Sequence, residues 1–223
     1  MAMSKRKRAL TAFAVFDILL LAVIVGIFLV RNSTGPTSDE LSEMGVAILP
    51  DQPALSDFQL TDHNGNSFSK QDLAGKWNLL FFGFTSCPDV CPLTMNALKL
   101  FYNDLENTDY SDDTRVIMVS VDPQRDTVEA MANYVQRYHQ EFVGLTGEHE
   151  VITTLAKELY IAFSKVPEHD GNHDTENYQV QHSGYIAIVN PEGGYFSVMR
   201  EPHSRESLTR AYFAVRQIEG SIE

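Results

Sequence analysis

The chain has 223 residues, 43% of them hydrophobic, which is enough for one globular domain plus a short additional segment and excludes disorder over the whole length. It carries 17 basic and 30 acidic residues, giving a formal net charge of -13 at pH 7. Because nucleic acids and anionic lipid surfaces are also negatively charged, this balance argues against both as partners.

The N-terminal region predicts a membrane anchor. A basic cluster, KRKR at residues 5–8, is followed by the apolar run ALTAFAVFDILLLAVIVGIFLV at residues 9–30. Spanning a bilayer takes about 20 apolar residues, whereas the apolar region of a cleaved signal peptide has about 7 to 15. We therefore predict a transmembrane helix over 9–30. Its Asp17 costs about 2.5 to 3.5 kcal/mol on insertion, which the apolar side chains of the run offset.

The distribution of charge around this run predicts its orientation. Four basic residues precede the run and only Arg31 directly follows it, and basic residues favour the cytoplasmic side. We expect a single-pass protein of a bacterial inner membrane, with a cytoplasmic segment 1–8 and a periplasmic domain. Residues 31–45 are small, polar and acidic, which favours a linker, so the folded domain is predicted over 46–223.

The first half of the domain shows a hairpin, a buried strand and a helix. The Asn64-Gly65 pair is a strong hairpin signal and predicts a turn within residues 56–69. The continuous apolar run at 76–85 predicts a strand buried on both faces. Apolar residues at helical spacing predict a helix over 92–107, with Pro92 tolerated in its first turn.

The second half alternates strands and helices, which predicts an α/β fold. Asp126 is interpreted as a helix N-cap, because Glu129 follows three residues later as in a capping box. A cysteine loop between a buried strand and a helix indicates a thioredoxin-like arrangement with an N-terminal β-hairpin extension, preceded by the transmembrane helix. The remaining elements are predicted at 115–121 (strand), 127–139 (helix), 142–147 (strand), 148–160 (helix), 184–189 and 195–200 (a hairpin) and 204–219 (helix).

Both cysteines of the chain, Cys87 and Cys91, lie in the stretch FFGFTSCPDVCPLTMNAL at residues 81–98. A structural disulfide between them closes a very short loop and stabilises little. A redox pair is favoured by the helix N-terminus, which lowers the pKa of a thiol, although the familiar redox motif has two intervening residues and this one has three. Thiolates are also ligands for copper(I) or zinc, so a metal site is the third interpretation.

A metal site requires a further ligand, and histidine is the natural choice. His169 and His173 lie in an acidic loop, which favours a solvated loop over an accessory metal patch. His182 precedes a buried-looking strand and is either a structural histidine or a ligand. The residues alone leave the choice open among the seven histidines, His63, His139, His149, His169, His173, His182 and His203.

Three motifs resemble the Sco/SenC family of membrane-anchored copper-binding proteins: TSCPDVCP, VDPQRDT at 121–127 and YQVQHSGYIAIVNPEGG at 178–194. The resemblance covers about residues 55–218. It implies a thioredoxin-like fold and one copper ion held by Cys87, Cys91 and His182. The chain departs from the family at Gln181, where many members carry an aspartate, so a carboxylate that orients His182 is missing.

The resemblance also implies a function, and two hypotheses follow. The first is a membrane-tethered periplasmic copper chaperone that delivers copper to the copper-bearing subunit of cytochrome c oxidase, or to another periplasmic copper or thiol protein. The second is a thiol-disulfide oxidoreductase that keeps partner cysteines reduced without copper transfer, for which His182→Ala is nearly silent. Asp122 and Asp126 of the second motif are assigned to loop geometry and helix capping.

Overall fold

The computed structural model describes residues 5–33, 35–106, 108–167 and 178–222. The first helix, α1, spans Lys5–Ser33 and contains the apolar run of the sequence. Its described side chains are those of residues 13–27, and their large apolar members are exposed. Within the described part of the chain, no helix is found that is long and apolar enough to cross a membrane.

A short helix, α2 (Ser38–Glu43), lies in the region predicted as a linker. It begins with a capping box, in which the Glu40 backbone N–H donates to Thr37 Oγ1 at 3.3 Å and the Thr37 N–H donates to the Glu40 carboxylate at 2.8 Å. Leu41 is buried in the core. The first strand begins at Val46, the residue predicted to start the folded domain, but buried Leu41 shows that the chain packs against the domain several residues earlier.

Ten strands follow in the described part of the chain. Eight of them form one mixed sheet in the order β1-β10-β9-β4-β5-β6-β2-β3, while β7 and β8 form a separate pair. The neighbours β4, β5 and β6 run parallel, and the other pairings are antiparallel. The strands are β1 (Val46–Ile48), β2 (Gln59–Asp62), β3 (Ser67–Ser69), β4 (Trp77–Gly83), β5 (Thr114–Ser120), β6 (Val143–Thr146), β7 (Phe163–Pro167), β8 (Tyr178–His182), β9 (Ile186–Val189) and β10 (Tyr195–Met199).

Four longer helices surround this sheet, and a 3₁₀ helix covers Lys70–Leu73. α3 and α6 pack against each other, where the rings of Phe101 and Tyr212 meet edge to face at 5.3 Å. α4 packs against β6, and α5 against β2. These helices are α3 (Val90–Leu105), α4 (Val128–Val135), α5 (His149–Glu158) and α6 (Arg205–Ile222).

The predicted buried strand is confirmed as β4, and all seven of its residues are buried. It lies between β5 and β9, so both edges are paired and both faces are covered. A strand in this position has no solvent-facing side, which explains why its sequence is continuously apolar instead of alternating. The cysteine loop leaves from its carboxyl end.

The predicted hairpin is confirmed by the pairing of β2 with β3. In the turn, Gly65 has φ +84°, and the Asp62 carboxylate accepts from the backbone N–H groups of Asn64 at 2.9 Å and Asn66 at 2.7 Å. Because β2 also pairs with β6, the hairpin extends one edge of the main sheet.

The assignment of Asp126 as an N-cap is wrong. The N-cap of α4 is Thr127, whose Oγ1 accepts from the Ala130 N–H at 3.2 Å. Asp126 is instead buried, and its carboxylate accepts hydrogen bonds from the hydroxyl groups of Thr85 and Ser120 on two neighbouring segments. The helix also ends at Val135, before the predicted boundary.

We predict that Gly65→Ala lowers the free energy of unfolding by about 1 to 2 kcal/mol, because a Cβ atom is disfavoured at positive φ. Gly65→Asn is the matched control and should retain most of the stability, since asparagine tolerates this conformation. Denaturant unfolding of the full-length variants measures both changes. Equal stability of Gly65→Ala and the wild type would contradict the assigned turn.

Candidate metal centre

The cysteine loop, residues 84–89, connects the buried end of β4 to the start of α3. Cys87 is half-buried in this loop, and its N–H donates to the Phe84 carbonyl at 3.2 Å. Cys91 is the second residue of α3 and is fully buried. The Cys91 backbone N–H donates to Cys87 Sγ at 3.4 Å, so the helix N-terminus faces the first sulfur, as the sequence predicted.

His182 reaches the cysteines from β8, a strand that the sequence analysis did not predict. It is the last residue of this strand, and its Nε2 atom lies 3.3 Å from Cys91 Sγ. One ligand atom from each of Cys87, Cys91 and His182 lies within 4.8 Å of the other two. The structure therefore brings together the three residues that the family resemblance implied.

The orientation of the His182 ring is set by its own backbone neighbour. Its Nδ1 atom lies 3.1 Å from the Ser183 carbonyl oxygen. Because a carbonyl accepts only, Nδ1 donates to it, and Nε2 is the ring nitrogen that faces Cys91. Gln181 is exposed, next to the half-buried His182 in an extended strand, so its side chain faces the opposite side. The Ser183 carbonyl thus performs the orienting role that the missing carboxylate at position 181 was expected to have.

The inner wall of the site is apolar and closely packed. The rings of Phe81 and Phe84 meet the His182 ring edge-on at centroid distances of 5.9 and 6.0 Å. A Cβ atom on Gly83 would lie 2.9 Å from Cys91 Sγ, a distance that real Cβ contacts do not show. The absence of a side chain at Gly83 therefore provides the space that the buried sulfur occupies.

The two thiols are electrostatically different. The pKa of Cys87 is lowered, chiefly by the hydrogen bond from Cys91, with further contributions from His182 and from the backbone N–H groups of Cys91 and Asp89. The pKa of Cys91 is raised, because its thiol keeps the proton of the hydrogen bond between the two sulfurs and because Cys91 is buried. The metal-free pair thus presents a thiolate at the more exposed sulfur and a thiol at the buried one.

The other described histidines lie elsewhere. Among the described residues, the cluster of Cys87, Cys91 and His182 is the one group arranged for a metal. His63 Nδ1 accepts from the Gly144 N–H at 3.2 Å, and His203 Nε2 donates to the Gly184 carbonyl at 2.7 Å, which are structural roles. The proposed patch at His169 and His173 lies outside the described residues.

Asp126 holds the first residues of the cysteine loop in place through hydrogen bonds with Thr85. Its carboxylate accepts from the Thr85 hydroxyl and the Ser120 hydroxyl, both at 2.6 Å, and from the Thr85 N–H at 3.2 Å. Burial raises its pKa, while these donors lower it. Through these hydrogen bonds, Asp126 connects Thr85, at the beginning of the cysteine loop, with Ser120, at the end of β5. The family resemblance includes this residue in the DPQRDT motif, but the sequence assigned it to helix capping, because its partner Thr85 is 41 residues away along the chain.

The donor set is suited to a soft metal ion. Two sulfurs and one imidazole nitrogen match the ligand preferences of copper(I) and zinc. Harder ions such as Mg²⁺ and Ca²⁺ prefer oxygen ligands. A model of the SCO1/SenC family matches residues 47–216. The chain belongs to the SCO1/SenC family.

Relatives and solved structures agree with this assignment. The "Protein SCO2 homolog, mitochondrial" of Bos taurus is 37% identical over 153 residues, which cover 69% of this chain and 56% of that protein. The chain thus spans about half the length of this mitochondrial relative. The crystal structure of Arabidopsis thaliana ScoI with copper bound is 32% identical, with a TM-score of 0.66, over 75% of this chain and 99% of that one.

Yeast Sco1 with copper bound is similar as well, at 28% identity and a TM-score of 0.63, over 75% of this chain and 90% of that one. Together, these matches confirm the predicted thioredoxin-like α/β fold of the SCO1/SenC domain.

We predict that Cys87 in the reduced, metal-free, full-length protein reacts with iodoacetamide at pH 5, while Cys91 does not. The thiolate is the reacting form, and the lowered pKa of Cys87 keeps it deprotonated well below the usual range of about 8.5. Peptide mass spectrometry across a pH series measures the modification of each cysteine.

The matched variant for this measurement is Cys91→Ala, which removes the main hydrogen-bond donor to Cys87. Its Cys87 reactivity should shift to higher pH, because the thiolate loses stabilisation. A wild-type profile for Cys87 centred near pH 8.5, or no shift in Cys91→Ala, would contradict the assigned proton arrangement.

Proposed function

We propose that this protein is a copper chaperone in which Cys87, Cys91 and His182 hold one copper ion and release it to the copper-bearing subunit of cytochrome c oxidase. The observation that carries this proposal is the three-ligand cluster, with its ligand atoms within 4.8 Å of one another. The copper-bound structures of similar Arabidopsis and yeast proteins support copper as the metal.

The chemistry of the donors favours transfer of the metal. Two thiolates and one imidazole satisfy copper(I) at low coordination number, so an incoming partner ligand has room to bind. Cys87 is half-buried, whereas Cys91 is fully buried. A partner thiolate would therefore displace Cys87 first, and Cys91 and His182 would hold the ion until the exchange is complete.

The membrane anchor and the periplasmic location belong to the same proposal. The apolar run at 9–30, the basic cluster before it and the exposed apolar side chains of residues 13–27 in α1 support a single-pass anchor in a bacterial inner membrane. In this arrangement the N-terminus is cytoplasmic, and the copper site faces the periplasm near membrane-bound respiratory enzymes.

A second candidate function is thiol-disulfide exchange, which the unequal cysteine pKa values favour. The Cys87 thiolate would attack a partner disulfide and release one partner thiolate. Cys91 would then lose its proton and resolve the mixed disulfide, leaving a Cys87–Cys91 disulfide and a partner dithiol. A dithiol reductant would regenerate the pair. His182 makes only a secondary contribution to the lowered Cys87 pKa, so His182→Ala should change this exchange little.

Copper binding and transfer by the full-length protein distinguish the two functions. Under anaerobic conditions, a competition titration with a copper(I) chelator should give one tightly bound copper per wild-type chain. Binding should be lost or strongly weakened in Cys87→Ser, Cys91→Ser and His182→Ala, because each removes one donor. Gln181→Ala is the matched control beside His182 and should bind as the wild type does, since its side chain faces away.

The loaded protein is then mixed with the reduced, metal-free copper-binding domain of the oxidase subunit, and the copper content of each is measured after separation. Movement of copper to the oxidase domain supports the chaperone. Failure of the reduced wild type to bind copper would overturn it. The oxidoreductase would be established instead by two results together. The wild type would transfer no copper, and His182→Ala would reduce an oxidised oxidase domain at close to the wild-type rate.

A further inference from the structure

The carboxylate of Asp122 is fully buried, yet it lies among charged and polar side chains from three segments. Asp122 belongs to the loop at residues 121–127, which follows β5. Arg125 Nε of the same loop donates to Asp122 Oδ2, and Tyr178 of β8 donates its hydroxyl to Oδ1 at 2.6 Å. Lys165 Nζ of β7 lies 3.6 Å from Oδ1. The buried charge is therefore paired and hydrogen-bonded, as a carboxylate in this environment requires.

The same side chains also enclose the ring of Tyr178. The guanidinium carbon of Arg125 lies 4.2 Å from the ring centroid, and Lys165 Nζ lies 4.3 Å from it. Lys165 Nζ also donates to Gln124 Oε1 at 2.8 Å. Both strands of the β7–β8 pair are thus attached to the loop that carries Asp122.

This attachment lies on the strand that carries His182. Tyr178 and His182 are the first and last residues of β8, four positions apart, so their side chains lie on one face of the strand. Val180, between them on that face, is buried. At about 3.3 Å per residue, the two ends are about 13 Å apart. One end contacts Asp122, and the other contacts Cys91.

The β7–β8 pair needs such an attachment because, among the described residues, it forms a sheet separate from the main one. A two-stranded hairpin is marginally stable by itself. A metal ligand must nevertheless be held within about 0.5 Å of its productive position. The register also matters, since a shift by one residue would turn His182 and Tyr178 to the opposite face.

We propose that Asp122 is a positioning residue for the copper site, which acts through Tyr178 to hold β8 so that His182 meets the two cysteines. The inference rests on the proposed copper binding and gives the DPQRDT loop a defined part in it. With Asp126 binding the cysteine loop and Asp122 binding β8, one loop fixes both halves of the site.

The test is Tyr178→Phe, which removes the hydroxyl and keeps the ring that Arg125 and Lys165 contact. In the full-length protein, we expect copper(I) affinity to fall several-fold, less than the about 10- to 100-fold effect of residues that directly bind a metal ligand, because Tyr178 acts on His182 only through the strand. Tyr160→Phe is the matched control, because Tyr160 is 73% exposed, and its affinity should equal that of the wild type.

A double-mutant cycle separates positioning from a general effect on the fold. In the His182→Ala background, Tyr178→Phe should leave the residual copper(I) affinity unchanged, because the residue it positions is gone. An equal loss of affinity in both backgrounds, or wild-type affinity for Tyr178→Phe, would overturn the proposal. Asp122→Asn provides a second variant, which should weaken binding in the same background-dependent way.

A metal-free measurement keeps this inference distinct from the proposed function. The side-chain nitrogen and carbon chemical shifts of His182 in the reduced apoprotein should change in Tyr178→Phe and not in Tyr160→Phe. Unchanged shifts would contradict positioning even if the protein binds copper. Failure of the wild type to bind copper would remove the proposed function, while a shift change would still show that Tyr178 positions His182.

Discussion

The burial of β4 in the middle of the main sheet is the constraint on which the site depends. β5 pairs with the whole of one edge and β9 with residues 78–81 of the other, so β4 is fixed in the interior up to its buried carboxyl end. The chain must turn there, and the turn is the cysteine loop, with α3 beginning at Val90 directly after it. Open α/β sheets bind ligands in the crevice outside the carboxyl ends of their strands, where the strand order reverses.

At this position, the interior and outer sides of the site differ in the groups that they provide. The interior side supplies a buried sulfur, aromatic rings and the space beside Gly83. The outer side supplies a half-buried sulfur that faces the backbone N–H groups at the start of α3. The imidazole arrives from a different sheet. A metal ion held in this way is bound by one buried donor, Cys91, and by two half-buried donors, Cys87 and His182, an arrangement suited to both retention and exchange.

The parts of the structure encoded by local patterns were predictable from the sequence. The Asn64-Gly65 turn, the apolar β4 and the Pro92 helix start each depend on neighbouring residues. His182 was identified through the family resemblance, because the strand that carries it has weak periodicity and pairs outside the main sheet. The contacts of Asp122 with Tyr178 and of Asp126 with Thr85 span 56 and 41 residues, so no local pattern reveals them. A capping box was therefore a reasonable but wrong interpretation of Asp126.

The central claim is that one copper ion is held by two cysteines and one histidine of the same chain. X-ray absorption spectroscopy at the copper edge of the copper(I)-loaded, full-length protein tests it most directly, because the fine structure reports the donor atoms. We expect two sulfur scatterers and one imidazole nitrogen per copper, with the imidazole signal absent in His182→Ala. A copper environment made of oxygen and nitrogen alone, or one that is unchanged by His182→Ala, would contradict it.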